Sequence, residues 1–544
     1  MAQKTQGNTQ GLKPSQLKAL NRLYSRRYPV HEGYTLEQAR ELARLSHEIG
    51  RQIGLLIDRQ GRPSMVLVGD PTSIYIPELP RSRTGAGRLR GLRLMHTHLA
   101  GERLSQEDLM DMVFLRLDNV MSLSLSGNEP ESAEVAYLLP PNAEGRNYEM
   151  LPSSRWDRLD VDLDATVQAL EDEFARVQEG VEVDGDGERA LLVSVDTAPK
   201  PAQERALDEL AELAKTAGLL PAGTMIQRVR KLNPKYILGR GKLADLEVQA
   251  LQANASIILF DQDLAPAQLR NIADVTERRI LDRTQLILDI FAQHATSRAG
   301  KLQVEMAQLK YALPRLVGRN RAMSRLMGGI GGRGPGETKL EVDRRRARDR
   351  LTKLKKELAN VRKQRGQTRE RRHKAGLPIV SLVGYTNAGK STLLNTLTNS
   401  EVLAENKLFA TLDPTSRRIR FPKDREVVLT DTVGFIRRLP PDLKEAFQAT
   451  LEELESANLL VLVADASHPE VEEQVEAVRT ILNDMDMQDV PTVLVLNKWD
   501  SLTLDEREVI TNIFPEGIPA VALKRRSLEP VVEAILAGLP RSRY

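Results

Sequence analysis

The stretch PIVSLVGYTNAGKST, residues 378–392, constrains the fold of this chain more than any other feature. An apolar run leads into G-x-x-x-x-G-K-[ST], and a helix-forming segment follows it. Gly384 and Gly389 let the backbone curl so that its N–H groups, with the helix N-terminus, point at phosphates. Lys390 reaches the β- and γ-phosphates, and the Ser391 hydroxyl can bind Mg²⁺. The stretch predicts a nucleotide-binding strand–loop–helix unit, although alone it would also fit an ATPase or a chance match.

A second motif, DTVG, follows the apolar run VVLT. Asp431 can hold Mg²⁺ through a water molecule, and the Gly434 N–H can bond the γ-phosphate. The next residue is Phe435, where many nucleotide-hydrolysing enzymes carry a glutamine that orients the attacking water. Because a phenyl ring cannot hydrogen-bond water, we predict slow hydrolysis until another group positions that water. The alternative is that Phe435 packs against its own domain and hydrolysis uses an unidentified residue.

The third motif is NKWD, which follows the apolar run PTVLVL. The Asp500 carboxylate can accept hydrogen bonds from guanine N1–H and the N2 amino group, whereas adenine offers neither donor. Leaving that carboxylate unpaired would cost on the order of 1–3 kcal/mol or more, which favours guanine. Asn497 and Lys498 are expected to brace the base from the other side. The order of the three motifs, each after an apolar strand, predicts a guanine-nucleotide domain.

Residues 378–538 resemble a translation-factor-class GTPase domain. The segments ENKLFATLDPTSRRI and GGIGGRGPGETKLE, with the α/β region before them, resemble the HflX family over roughly 190–538. The resemblance implies that Phe409–Asp413 belongs to switch I and that Thr411 binds the metal, with Thr415 as a rival from spacing alone. It also implies a cytoplasmic GTPase that binds the large ribosomal subunit and its rRNA, aims the glycine loop toward the peptidyl transferase region and separates ribosomal subunits.

The base-contacting loop departs from the pattern of that family. It usually reads Ser-Ala-x-x-Gly, and here it is VALKRRSL, with Val521 in place of the serine. Backbone contact to the base can survive while a serine-dependent turn is lost. The predicted catalytic residues are Lys390, Asp431 and Gly434, and the predicted Mg²⁺ ligands are Ser391 and Thr411. The predicted GTP-binding residues are Gly384, Tyr385, Thr386, Asn387, Ala388, Gly389, Lys390, Ser391, Thr392, Phe409, Ala410, Thr411, Leu412, Asp413, Asp431, Thr432, Val433, Gly434, Asn497, Lys498, Trp499, Asp500, Val521, Ala522 and Leu523.

Between residues 301 and 374 the sequence changes to heptad-like helical stripes. The apolar stripes are Leu302, Met306, Leu309, Leu313 and Leu316, then Ala347, Leu351, Leu354, Leu358 and Val361. The glycine-rich GGIGGRGPGE separates them, which predicts an antiparallel helical hairpin. Residues 341–374 hold 15 Lys and Arg against 5 Asp and Glu, a local net charge of +10. We expect this excess to contact the phosphates of a folded RNA, the alternative being a solvated charged face.

The whole chain is predicted to be of the α/β class. At 544 residues it should hold three or four domains. We expect a P-loop GTPase domain at 375–544, preceded by a parallel α/β domain and the hairpin, and an N-terminal α+β extension. The remaining predicted ranges are 1–178 for that extension, 179–189 for a linker, 190–300 for the α/β domain and 301–374 for the hairpin.

Composition limits the location and the chemistry. The chain has no cysteine, which excludes disulfides, thiol catalysis and cysteine-ligated zinc, and fits a reducing cytoplasm. No run approaches the roughly 18 apolar residues that cross a bilayer, and the basic N-terminus lacks the apolar segment of a secretory signal. We therefore expect a cytoplasmic protein without membrane insertion. We also expect the protein to be a monomer.

The N-terminal run HTHLAGERLSQEDL, residues 96–109, raises a separate possibility. It resembles the His-x-His…Ser-x-x-Asp pattern of metal-dependent isopeptidase-like and RadC-like domains. That resemblance implies a zinc site at His96, His98 and Asp108, with Ser105 near a bound water. The spacing is one residue short, and Leu99 stands where the family has proline. The alternative is a relic fold with ordinary surface or capping histidines.

Together these features favour a GTPase that binds GTP or GDP with Mg²⁺ and couples GTP hydrolysis to ribosome subunit dissociation or recycling. One competing interpretation is an RNA-remodelling NTPase that acts off the ribosome. Another is a metal hydrolase in the N-terminal region that the GTP-binding domain regulates.

Overall fold

The computed structural model describes residues 5–77, 79, 88–140, 142, 146–179, 187–315, 339–374, 377–398, 409, 415–421, 425–431, 434–435, 454 and 456–539. The chain divides into two compact units, Met1–Ala211 with Gly218–Asp282 and Glu212–Ala217 with Arg283–Tyr544. Across these described residues, no helix is both long and apolar enough to span a membrane.

The N-terminal part of the first unit is a mixed sheet with helices. Its strands are β1 (Gln6–Gly7), β2 (Ile53–Asp58), β3 (Pro63–Val68), β4 (Leu92–His98), β5 (Val120–Ser126), β6 (Glu129–Leu138), β7 (Tyr148–Met150) and β8 (Ser154–Arg155). Its helices are α1 (Pro14–Arg22), α2 (Leu36–Ile49), α3 (Gln106–Leu115) and α4 (Leu163–Glu179). The strand order is β1-β3-β2-β4-β5-β6-β7, with β8 paired to β6. Antiparallel pairs dominate, but β1 with β3 and β4 with β5 run parallel, as expected of an α+β region.

This sheet is covered on both faces. Leu55 of β2 packs in a cluster with Leu42 of α2, whereas its neighbour Leu56 packs in a second cluster with Met112 of α3. Successive strand residues point to opposite faces. Burial on both faces therefore explains why IGLLID is apolar throughout and does not alternate with polar residues.

The rest of the first unit is a parallel sheet. Its strands are β9 (Arg189–Asp196), β10 (Leu220–Arg228), β11 (Ile257–Phe260) and β12 (Arg279–Asp282), in the order β10-β9-β11-β12. The helices of this region are α5 (Lys200–Thr216), α6 (Arg240–Gln252) and α7 (Pro266–Ala273). Every pairing is parallel, which confirms the predicted parallel α/β region.

The second unit begins with helices α8 (Arg283–His294), α9 (Arg298–Ala312) and α10 (Lys339–Lys374). The two heptad stripes meet as predicted, with Leu302 and Met306 of α9 buried in one cluster with Leu354 and Leu358 of α10. Residues 316–338, which include the segment GGIGGRGPGE, lie outside the described residues. The hairpin connection itself therefore stays a prediction.

The sheet that follows carries the nucleotide motifs. Its strands are β13 (Ile379–Gly384), β14 (Thr415–Phe421), β15 (Arg425–Asp431), β16 (Leu459–Asp465), β17 (Thr492–Asn497) and β18 (Ile518–Pro519), in the order β14-β15-β13-β16-β17-β18. The helices are α11 (Lys390–Thr398), α12 (Val471–Asn483), α13 (Leu504–Ile513) and α14 (Glu529–Gly538). All pairs are parallel except β14 with β15. The three predicted motifs therefore lie at the carboxyl ends of β13, β15 and β17, which is where open α/β sheets bind ligands.

Candidate functional site

The glycine-rich loop between β13 and α11 depends on its two motif glycines. Gly384 has φ +151°, and a Cβ there would lie 2.1 Å from the carbonyl oxygen of Val463. Gly389 has φ +94°, and a Cβ there would lie 2.2 Å from the Asn497 amide nitrogen. Because no side chain fits at either position, the loop curls as the sequence predicts.

Lys390 is held inside this loop. Its Nζ donates to the carbonyl oxygens of Gly384, at 3.1 Å, and Tyr385, at 2.8 Å. Burial lowers the pKa of Lys390 to about 8, and the negative charge of Asp431 opposes that shift. The ammonium thus lies inside the loop that the sequence predicts to bind phosphates.

Ser391 and Asp431 come from separate motifs and meet directly. The Ser391 hydroxyl donates to Asp431 Oδ2 at 2.6 Å, and the Asp431 side chain is buried. A hydroxyl beside a buried carboxylate is an all-oxygen donor set, which suits Mg²⁺. The residues present therefore fit the metal that the motifs imply.

Phe435, the residue after the DTVG motif, is joined to the glycine-rich loop through backbone hydrogen bonds. The Phe435 N–H donates to the Gly384 carbonyl at 3.1 Å, and the Thr386 N–H donates to the Phe435 carbonyl at 2.8 Å. A Cβ on Gly434 would lie 2.7 Å from Thr386 Cγ2 and 3.1 Å from Lys390 Nζ. The structure therefore places Gly434 against the loop and beside the lysine.

The side chain of Phe435 is buried, with an exposed fraction of 5%. It packs in the apolar cluster of this domain with Tyr385, Leu454 and Leu460. The described structure thus has the packed arrangement that the sequence left as an alternative. Thr432 and Val433 lie outside the described residues.

Asn497 braces the loops of the site. Its amide nitrogen donates to the Ala388 carbonyl at 2.8 Å, and its carbonyl oxygen accepts from the Ala522 N–H at 2.9 Å. The Asn497 side chain thus joins the glycine-rich loop to the 521–523 loop, and its predicted contact with the base stays a prediction. Lys498, with φ +59°, donates to Asp465 at 2.7 Å.

Asp500 is the exposed member of the NKWD motif. Its side chain is 45% exposed, and Lys524 Nζ donates to Asp500 Oδ2 at 3.3 Å. Trp499 is partly buried against the apolar cluster, and its N–H donates to the Ala520 carbonyl at 3.2 Å. The Asp500 carboxylate is therefore accessible to a base, as the guanine assignment requires.

The loop in which Val521 stands in place of the usual serine contains a hydrogen bond to Ser527. The Ser527 hydroxyl accepts from the Val521 N–H at 2.9 Å. A serine six residues downstream thus holds the loop in which Val521 replaces the usual serine. Ala522 is buried, whereas the side chain of Leu523 is 80% exposed.

Of the predicted switch I segment, only Phe409 is described; Ala410, Thr411, Leu412 and Asp413 are not. Phe409 has φ +58° and is buried. Its ring meets the ring of Phe291 on α8 edge to face. Thr411, the predicted metal ligand, comes two residues later in the sequence.

Family models match most of the second half of the chain. A model described as GTP-binding GTPase N-terminal matches residues 204–292, and one described as GTP-binding GTPase Middle Region matches 294–372. A third, described as 50S ribosome-binding GTPase, matches 379–498. The chain is 47% identical to GTPase HflX of Caldanaerobacter subterraneus subsp. tengcongensis over 350 residues, which is 64% of this chain and 80% of that protein. This chain belongs to the HflX family of GTPases.

A second HflX relative, from Escherichia coli K12, is 49% identical over 317 residues, 58% of this chain and 74% of that protein. Among solved structures, a GTP-binding protein from Sulfolobus solfataricus in complex with GDP is 26% identical and covers 64% of this chain and 98% of its own, with a TM-score of 0.36. The HflX resemblance and the P-loop fold predicted from the sequence are confirmed.

The matched family models begin at residue 204, so they leave the histidine run of the N-terminal region unassigned. The structure brings His96 and His98 of β4 together with Asp108 of α3, and their ligand atoms all lie within 4.8 Å of one another. Burial lowers the pKa of His96 to about 4, because desolvation penalises the charged ring. Ser105 is the N-cap of α3 and donates to Asp108 Oδ2 at 2.7 Å.

Proposed function

We propose that this HflX protein binds the large ribosomal subunit in its GTP-bound form and couples GTP hydrolysis to subunit dissociation or recycling in the cytoplasm. The match of residues 379–498 to a model described as 50S ribosome-binding GTPase supports this proposal. The observation that carries it is the exposed basic face of α10.

Packing decides which face of α10 is presented. Leu354 and Leu358 are buried against α9, and Arg350 is held by a two-pronged ion pair to Glu305, with distances of 2.6 and 2.7 Å. Among the α10 side chains that the structure describes, the exposed basic residues other than Arg350 are Arg345, Arg346, Arg348, Lys353, Lys355, Lys356 and Lys363. Between residues 344 and 363 of α10 the acidic residues are Asp349 and Glu357, and the basic residues outnumber them. The phosphates of rRNA supply charge that would neutralise this basic excess.

The predicted residues of the nucleotide site have the following proposed roles. Lys390 and the loop N–H groups bind the phosphates, and the Asp500 carboxylate accepts from guanine. Ser391 and Asp431 would hold Mg²⁺, with Thr411 as the proposed further ligand. When bound, the ion would neutralise part of the phosphate charge. The Gly434 N–H would bond the γ-phosphate.

Phe435 cannot position the water that attacks the γ-phosphate. Its ring is buried and has no hydrogen-bonding atom. Because positioning can contribute several orders of magnitude in rate, we propose slow hydrolysis by the protein alone and strong stimulation on the large subunit.

Co-sedimentation tests the proposal. Purified large subunits are mixed with the protein and GDP or a non-hydrolysable GTP analogue, and GTP turnover is measured with and without subunits. We expect analogue-dependent pelleting and faster turnover with large subunits. Associated ribosomes incubated with protein and GTP should separate into subunits on a sucrose gradient. Nucleotide-independent pelleting together with unchanged turnover would contradict the proposal.

A charge-matched pair of variants isolates α10. Arg345→Ala, Arg346→Ala and Arg348→Ala together should weaken large-subunit binding and lower the slope of log affinity against log salt by about two to three units. The control is Lys18→Ala, Arg22→Ala and Arg62→Ala, which removes equal charge from exposed positions of the first unit. GTP binding should be unchanged in both. Equal losses of ribosome affinity in the two variants would assign the effect to net charge and not to α10.

A further inference from the structure

The end of β4 and the start of α3 form a second cluster of potential ligands. His96 and His98 are two residues apart on β4, so both rings project from the same face of the sheet. Asp108 lies in the first turn of α3. The ring centroids of the histidines are 4.6 Å apart with an interplanar angle of 77°. The three side chains therefore converge from two adjacent elements.

The distances suit a single small metal ion. His96 Nε2 lies 3.6 Å from Asp108 Oδ1, and His98 Nε2 lies 3.6 Å from Asp108 Oδ2. Ligands bound tetrahedrally to zinc, each at about 2.0–2.2 Å, lie about 3.4 Å from one another. The carboxylate could thus share an ion with the imidazoles after only small adjustments.

The protonation pattern of His98 leaves a lone pair directed at the carboxylate. Its Nδ1 lies 2.8 Å from the Glu102 carbonyl oxygen, which can only accept, so Nδ1 carries the proton. In the neutral ring Nε2 is then an acceptor, and it faces the acceptor Asp108 Oδ2. A backbone carbonyl that fixes the tautomer in this way is a common outer partner of metal-binding histidines. A cation between the two acceptors would relieve their repulsion.

The His96 ring gives a second, independent reason to expect a ligand at this site. Its side chain has an exposed fraction of 0%, and in the described part of the chain neither ring nitrogen has a hydrogen-bond partner. A buried polar group without a partner costs on the order of 1–3 kcal/mol. A capping role for Asp108 explains its hydrogen bonds with Ser105 but leaves this ring unexplained. Coordination through Nε2 would offset that cost.

Asp108 is held in position by the start of its own helix. Both the N–H and the hydroxyl of Ser105 donate to Asp108 Oδ2 at 2.7 Å. The hydroxyl also accepts from the Asp108 N–H at 3.2 Å. This capping arrangement fixes the direction of the carboxylate before any ion arrives.

We propose that His96, His98 and Asp108 form a binding site for one divalent transition-metal ion, with zinc as the best match. Two imidazole nitrogens and one carboxylate oxygen are a donor set that zinc prefers over magnesium or calcium. Within the described residues no fourth His, Cys, Asp or Glu joins the group, so the remaining position falls to water or another small ligand. The ion joins the end of β4 to α3 and stabilises the first unit.

The test uses the full chain purified without a metal-affinity tag. Protein stripped with a chelator is reconstituted with Zn²⁺ in the presence of Mg²⁺ and GDP, and bound zinc is measured after desalting. We expect about one zinc per chain and a higher melting temperature. In the same protein Co²⁺ should give the intense visible absorption of a four-coordinate site. Absence of tightly bound zinc in the wild-type chain, or a purely octahedral cobalt spectrum, would overturn the proposal.

Variants separate coordination from helix capping. Asp108→Asn and His98→Ala should lose zinc and the zinc-dependent rise in melting temperature. Ser105→Ala removes the capping hydroxyl but no ligand, so it should lower the melting temperature and retain zinc. Circular dichroism checks that each variant is folded. If a variant does not fold, the cobalt spectrum of the wild-type protein decides whether the site binds a metal ion. Zinc retained at full stoichiometry by folded Asp108→Asn and His98→Ala would also refute the site.

Discussion

The rings of Phe409 and Phe291 meet edge to face, with centroids 4.8 Å apart and an interplanar angle of 89°. Both side chains are buried. The contact anchors the start of the predicted switch I to α8, a helix that precedes the nucleotide domain in the sequence. Phe291 and Phe409 are 118 positions apart in the chain, so only the folded structure reveals their contact.

Phe291→Leu should weaken binding of Mg²⁺–GTP by about five-fold, because an edge-to-face pair contributes about 0.5–1.5 kcal/mol. GDP affinity should change little, since Thr411 is proposed to bind the metal beside the γ-phosphate. Fluorescent analogues of both nucleotides measure this difference. Phe260→Leu, the same change at a fully buried phenylalanine of the first unit, is the control. Equal effects of the two substitutions on GTP affinity would remove the proposed link.

Phe435→Gln should destabilise the second unit without accelerating hydrolysis. The new amide would be buried among apolar side chains, at a cost of about 3 kcal/mol. Phe435→Leu keeps the apolar character and should cost less. Thermal unfolding and intrinsic GTP turnover are the measurements. A glutamine variant of normal stability and faster turnover would show that this side chain reaches the nucleotide.

Asn497→Ala should weaken GTP and GDP equally. Two hydrogen bonds are lost, and the Ala388 carbonyl and the Ala522 N–H are left without their partner. The cost of about 1–3 kcal/mol corresponds to roughly a ten- to hundred-fold loss of affinity. Preference for guanine over adenine should remain, because Asp500 is intact. A selective change in base preference would instead place Asn497 against the base.

Asp500→Asn should change the base preference itself. An amide can donate to the 2-oxo group of xanthine, whereas it loses the double acceptance from guanine. We expect weaker GTP binding and tighter xanthosine triphosphate binding, measured by competition against one fluorescent nucleotide. Lys524→Ala removes the cation that contacts Asp500 and serves as the control for local charge. If the Asp500→Asn variant binds both nucleotides with equal affinity, the assignment is wrong.

Nucleotide binding should take up a proton between about pH 8 and 9. Burial lowers the pKa of Lys390 to about 8, so the free protein loses this proton as the pH rises through that value. Phosphate favours the charged lysine, which raises its pKa again in the complex. Affinity for GDP should therefore fall above pH 8. Calorimetry in buffers of different ionisation enthalpy measures the uptake, which should vanish at pH 7, where Lys390 is already protonated. No uptake at pH 8.5 would contradict this account.

The nucleotide site could be predicted because its chemistry is local in the sequence. In the glycine-rich loop, Gly384, Gly389, Lys390 and Ser391 lie within eight positions. Their spacing alone sets where N–H groups, ammonium and hydroxyl lie once a strand and a helix flank them. The heptad stripes of α9 and α10 were equally visible, because burial of one helix face imposes a period of about 3.6 residues.

Only the tertiary structure determined the contacts between residues that are far apart in the chain. Ser527 accepts from the Val521 N–H, Asn497 joins two loops, and Phe435 is buried in the core. The same holds for His98, whose lone pair faces Asp108 only because α3 starts beside the end of β4. A hydrogen bond or an apolar contact depends on distances of a few ångströms. Local sequence patterns do not determine those distances, since they arise only when whole elements pack together.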